Sequence, residues 1–299
     1  MAVAAAPRLS AARVWWSAVR PATLAASVAP VLTGTAIAIH GGGARPAAGL
    51  AALVVALGIQ LGVNFANDYS DFVRGADANR VGPVRAAASG IVRPDQVRWA
   101  AIAAFGVAGL VGLALSLAID ARLLVAGAAC LLAGWLYTGG PRPYGYLGLG
   151  EVFVFVFFGL VATVGTVYVE TGRITGLSVL LGCAMGFLAC AILVLNNLRD
   201  IETDAAAGKR TLTTRVGRVR TRILLLVLVC AAFAVPIVVF LTGLAPVTVM
   251  LVLFAIPIAA VPVRTAFAST APHALVGALK RMAVAQLAYA LLFTLGVLV

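Results

Sequence analysis

Asn64, Asp68 and Asp71 stand at i, i+4 and i+7, and Asn197, Asp200 and Asp204 at i, i+3 and i+7. On a helix each set shares one face, with Asn67 beside the first. Carboxylate and amide oxygens are hard ligands of the kind magnesium takes, together with waters and the phosphate oxygens of a substrate. Arg74, Arg199, Lys209 and Arg210 flank the two sets, and such cations meet phosphate oxygens directly. A metal ringed by cations describes a diphosphate site. Seven of the ten acidic residues fall on these two segments, a concentration that solvated loop charges would not produce. Asp77, six residues beyond Asp71, leaves the shared face. It either returns through a loop as a further metal ligand or caps the next element. Glu202 lies off the Asp200/Asp204 face, and Asp95 after Pro94 reads as a helix start.

A third segment, Tyr137-Thr138-Gly139-Gly140-Pro141-Arg142-Pro143-Tyr144-Gly145-Tyr146, is rich in turn formers and carries aromatic rings and one cation. It leads to Glu151, an acid at the start of the strongly apolar run Val152 to Phe158, where it needs a partner such as Arg142 or a bound group.

The elements that position these residues are membrane helices. Of 299 residues, 63% are hydrophobic and 11% charged, with a mean hydropathy of +1.08, against about 25% charged in soluble domains. A span needs about 20 apolar residues for ~30 Å of hydrocarbon. Nine stretches qualify, near 22–39, 46–66, 98–119, 122–138, 148–169, 174–196, 222–242, 245–263 and 281–298. The fold class is therefore all-α, a polytopic membrane bundle of nine transmembrane helices forming one domain over 1–299. All but Arg45, Arg122 and Arg173 of the 22 lysines and arginines fall in alternate connecting segments. That asymmetry puts the N-terminus in the cytoplasm and the C-terminus outside. It also explains the net charge of +12 by topology, with no nucleic-acid partner. Both carboxylate segments, within 67–97 and 198–221, then face the cytoplasm. The four cysteines lie in apolar runs without metal-ligand spacing. Arg20-Pro21 opens the first span and is equally a topogenic cation or a substrate contact.

Taken together, Asn67-Asp68-Tyr69-Ser70-Asp71 with Arg74-Gly75-Ala76-Asp77, the Gly139 to Glu151 stretch, and Asn196-Asn197-Leu198-Arg199-Asp200-Ile201-Glu202-Thr203-Asp204 leading to Lys209-Arg210 resemble the UbiA superfamily of intramembrane prenyltransferases. Arg20-Pro21-Ala22-Thr23-Leu24 fits as well. Within that superfamily the chain resembles the branch that prenylates 1,4-dihydroxy-2-naphthoate in menaquinone biosynthesis, because the interval from Asp71 to Asp77 is six rather than four. The resemblance implies a multi-pass protein of the bacterial cell membrane whose cavity opens to lipid. It implies catalysis by Asp68, Asp71, Asp200 and Asp204, which with Asp77 hold Mg2+. Arg74, Lys209, Arg210, Asn67 and Asn197 would bind the diphosphate of a polyprenyl diphosphate, and Tyr137, Arg142, Tyr144 and Glu151 the acceptor. The implied products are demethylmenaquinone, CO2 and diphosphate. Two other readings stay open: the same chemistry on another aromatic acceptor, and a transporter whose carboxylates line an ion path.

Overall fold

A computed structural model of the chain describes residues 10–75, 84–140 and 143–299, and all regular elements among them are helical. A short helix α1 (Ala11–Val19) precedes α2 (Pro21–His40), α3 (Pro46–Val73), α4 (Pro94–Ala118) and α5 (Leu123–Leu136). After a 3-10 turn at Tyr144–Leu147 come α6 (Gly150–Val154), a π-helical stretch (Phe155–Val161) and α7 (Ala162–Thr171), which run on as one rod. Then follow α8 (Gly176–Arg199), the small α9 (Ile201–Ala206), α10 (Leu212–Leu241), a 3-10 segment (Val247–Ala255) continuing into α11 (Ile256–Ala268), and α12 (Pro272–Leu298). Proline stands at the first turn of α2, α3, α4 and α12, where its fixed φ favours the helix and its missing N–H costs nothing.

Among the described residues eight helices are long and apolar enough to cross a membrane. The fourth expected span, 122–138, is the exception. Its helix α5 has 14 residues, or ~21 Å at 1.5 Å per residue, because the Gly139-Gly140 turn stops it. The segment expected as a loop at 198–221 is largely helical too. It holds α9 and the first turns of α10, with Gly217 at φ 79° kinking the latter.

The core centres on α8, whose Leu181, Met185, Leu188, Leu195 and Leu198 are fully buried with Leu225 of α10 and Met282, Tyr289 and Phe293 of α12. The π-helical stretch packs backbone to backbone on α8: a Cβ at Gly159 would lie 2.4 Å from the Gly186 Cα. Close approach of this kind is how helices associate in lipid, where tails are as apolar as side chains. A second cluster joins Val14 and Ala18 of α1 to Phe65 and Ala66 of α3, Ala86, Ala87 and Val92 of the connecting segment, and Val97 and Ala101 of α4. At the opposite end of the bundle Tyr168 of α7 donates to Asp120 and accepts from Arg122 (2.9 Å), tying the α4–α5 turn to α7.

Candidate active site

α3 runs unbroken through the first polar set, so its side chains diverge by helical phase. Asp71 faces a polar chamber of about 70 Å3 at the charged end of the bundle. Asn67, one turn earlier, faces it as well, its Oδ1 accepting from the Thr138 hydroxyl at 2.5 Å. Asp68 points elsewhere. Its carboxylate is fully buried and accepts from the Ala86 and Ala87 amides at 2.9 and 3.3 Å. That holds the segment after Val84 against α3, and Asp68 does not line the chamber.

The end of α8 and α9 supply the opposite wall, with Asn196, Asn197, Asp200, Thr203 and Asp204. Asp200 ends α8 and pairs with Arg199, whose Nε donates to it at 2.7 Å. Asn197 Nδ2 donates to Glu151 Oε1 at 3.1 Å. Glu151 thus finds its partner on α8; Arg142, like Asp77, lies outside the described residues. Glu202 pairs with Arg218 at 2.7 Å and takes no part in the chamber.

The expected diphosphate cations divide. Lys209 lines the chamber, 3.0 Å from Asp71 and 3.6 Å from Asp204, with its ammonium over the Tyr146 ring at 4.7 Å. Burial alone would lower the Lys209 pKa, but the Asp71 and Asp204 carboxylates reverse this and hold it above 10.5. Arg74 instead donates to the Thr138 and Gly140 carbonyls at 2.7 and 2.8 Å, pinning the loop after α5. The Arg210 side chain is exposed and only its backbone contributes, with its N–H on the Tyr146 carbonyl. Two other arginines take these places. Arg85 Nη2 reaches Asp71 at 2.7 Å in a buried ion pair. Arg20, the one described non-glycine residue with positive φ (51°), turns its guanidinium toward the chamber, and its Nη2 is buried without a hydrogen-bond partner among the described residues. Arg85, 14 residues past Asp71, carried no local signal; Arg20 stood open between a topogenic cation and a substrate contact, and its left-handed turn between α1 and α2 brings it to the chamber.

An apolar cavity of about 270 Å3 continues from the chamber. Arg20, Asn67, Tyr137 and Asn196 line both spaces and form the throat between them. Tyr137 packs edge-on against Tyr144 (5.5 Å), Tyr144 stacks on Phe153 (3.9 Å), and Phe153 stacks on Phe157 (5.9 Å), giving an aromatic wall that runs down from the throat. Burial, with Asp71 nearby, pushes the Tyr146 phenol above its ordinary pKa, so its hydroxyl stays protonated as a donor. The Tyr146 hydroxyl donates to Asp71 at 2.9 Å.

Among the described residues no three acidic, histidine or cysteine side chains come close enough to hold a metal by themselves. The donor set nonetheless fits Mg2+. Asp71, Asp200, Asp204 and the amides of Asn67 and Asn197 all open on one small chamber, and Mg2+ commonly uses one or two carboxylates and completes its shell with water and phosphate. Three carboxylates there face three cations, Arg20, Arg85 and Lys209, so no excess of negative charge opposes an incoming anion.

A helical membrane protein whose charged chamber opens through a throat into an apolar cavity has the shape and chemistry to suit an amphipathic molecule with an anionic head. The UbiA prenyltransferase family model matches residues 27–278. A 1,4-dihydroxy-2-naphthoate octaprenyltransferase of Mycobacterium tuberculosis is 48% identical over 210 residues, covering 70% of this chain and 72% of that one. The protein of the same name from Haemophilus influenzae is 34% identical, covering 96% of each chain. A solved UbiA homologue of Archaeoglobus fulgidus bound to GPP and Mg2+ superposes with a TM-score of 0.62 at 16% identity, over 93% of this chain and 99% of that one, and attests the fold. The chain belongs to the UbiA prenyltransferase family.

Proposed function

We propose that this prenyltransferase transfers a polyprenyl group from polyprenyl diphosphate to 1,4-dihydroxy-2-naphthoate. The C–O bond to diphosphate breaks and a C–C bond forms at the ring carbon bearing the carboxylate. That carboxylate leaves as CO2, its electron pair restoring the aromatic ring, and the product is demethylmenaquinone in its quinol form. The observation that carries this reading is the throat: a charged chamber and an apolar cavity meeting at Arg20, Asn67, Tyr137 and Asn196. A prenyl diphosphate threaded through it would have its reacting carbon at the aromatic wall. The acceptor and the octaprenyl donor are those in the names of the curated relatives.

In this reading Asp71, Asp200 and Asp204, with Asn67 and Asn197, hold Mg2+, which when bound neutralises charge on the departing diphosphate. Lys209, Arg85 and Arg20 add fixed cations that act most strongly as that charge develops. Tyr137 and Tyr144 present ring faces where the allylic carbon becomes positive, and the apolar wall excludes water. Glu151 lines neither space and acts on the acceptor through Asn197, as a positioning residue. Asp68 and Arg74 act as positioning residues, through the segment after Val84 and the loop after α5. On sequence alone, Asp77 remains a candidate further ligand and Arg142 a candidate acceptor contact. The charge asymmetry supports a chamber facing the cytoplasm of a bacterial cell membrane.

Purified enzyme in proteoliposomes, given dihydroxynaphthoate, octaprenyl diphosphate and Mg2+, should release CO2 and form the prenylated quinol. Product from 4-hydroxybenzoate and none from dihydroxynaphthoate would reassign the acceptor.

A further inference from the structure

The glycines of the membrane helices range from tightly packed to open. At Gly34, Gly49, Gly62, Gly159, Gly186 and Gly296 an added Cβ would come within 2.8 Å of a neighbouring atom, so helix packing demands them. At Gly112, Gly127 and Gly165 it would meet nothing closer than 3.9 Å. None of these three has positive φ. Neither packing nor backbone conformation accounts for them, and a glycine inside a helix is destabilising relative to alanine. They lie on three different helices, α4, α5 and α7, yet all three line the apolar cavity. Gly106 and Gly277 also face open space but do not line it.

Their depth is what matters. Gly127 is seven residues along α5 from Gly134, ~10 Å, and Gly165 is twelve residues along the α6–α7 rod from Phe153, ~18 Å. The missing Cβ of Gly112 points toward Val55, which is twelve residues along α3 from Asn67, again ~18 Å from the throat. On the same cavity the Ser27 hydroxyl is fully buried without a hydrogen-bond partner among the described residues.

We infer that Gly112, Gly127 and Gly165 keep the deep end of the cavity open for the distal isoprene units of a long donor, and so set the enzyme's preference for long over short prenyl diphosphates. This rests on the donor assignment above. Side chains grown from these positions would shorten the accessible cavity while leaving the chamber and throat as they are.

The test compares kcat/KM for octaprenyl and geranyl diphosphate, with dihydroxynaphthoate and Mg2+, in wild type, Gly127→Phe and Gly165→Leu. Each variant should lose about tenfold or more with the octaprenyl donor, the scale on which a pocket rejects surplus apolar bulk, and stay within about twofold with the geranyl donor. Equal loss with both donors would mean that packing needs the glycines, and no loss with either would mean that the long chain leaves for lipid before reaching them. Either result overturns the inference. Gly127→Ala and Gly165→Ala provide a check independent of turnover: their melting temperatures should equal or exceed that of wild type, and a clear drop would also overturn it. If wild type turns over neither donor, the donor assignment itself fails.

Discussion

At the scale of the residue, Asp68 and Asp71 are three positions apart on one helix and do different work. Asp68 closes on two backbone amides, whereas Asp71 meets Arg85, Lys209 and Tyr146 inside the chamber. Asp68→Ala leaves those amides without their carboxylate, at about 1–3 kcal/mol for each that stays buried and unpaired. It should lower the melting temperature while its residual activity keeps the wild-type Mg2+ dependence. Asp71→Asn gives up the buried pair with Arg85, so it too should lower the melting temperature, and it should lose about 10²-fold or more in turnover, the scale of losing one preorganised electrostatic group; Mg2+ titrations of both variants separate the two roles. Lys209 supplies a pH prediction. Its folded pKa is raised, so its ion-pair stabilisation is complete below the ordinary value of 10.5 and is lost only as pH rises through the still higher folded value. The KM for the donor should therefore show no Lys209 titration below 10.5. An inflection in that range that vanishes in Lys209→Arg would contradict this.

At the scale of the element, the rod from Gly150 to Thr171 lines the apolar cavity along its length, as α3 does from the other side. Its π-helical stretch departs from the α-helical phase between Phe153, which faces the throat, and Gly165, deep in the cavity. Such stretches are uncommon and gather at functional sites. The rod is seated by the contact of Gly159 with Gly186. Gly159→Val should overpack it, costing about 1–3 kcal/mol, and should shift Phe153 and Phe157 along with the rod. A lowered melting temperature together with a changed octaprenyl-to-geranyl ratio would identify this. A lowered melting temperature alone would confine Gly159 to stability.

At the scale of the whole molecule, the charged end is neutralised internally. Asp71, Asp200 and Asp204 have partners in Arg85, Arg199 and Lys209, and the apolar core around α8 lies apart from them. The fold should therefore not depend on the metal. A chelator should stop turnover while leaving the donor-free melting temperature unchanged, as read by activity and thermal unfolding of one sample. A large fall in that temperature would make the metal structural as well.

The sequence alone determined the membrane bundle, most of its spans and the two polar segments, because hydropathy and helical spacing are local properties of a chain in lipid. It also carried the family resemblance, which rests on contiguous motifs. Only the tertiary structure decided which side of α3 meets the chamber, so that Asn67 and Asp71 face it and Asp68 does not. The same holds for Arg20 and Arg85 entering it while Arg74 turns to carbonyls. Those outcomes depend on helix phase relative to partners far along the chain, and on where a long flexible cation finds an acceptor. The open glycines have the same origin: what a residue faces is set by the neighbouring helices.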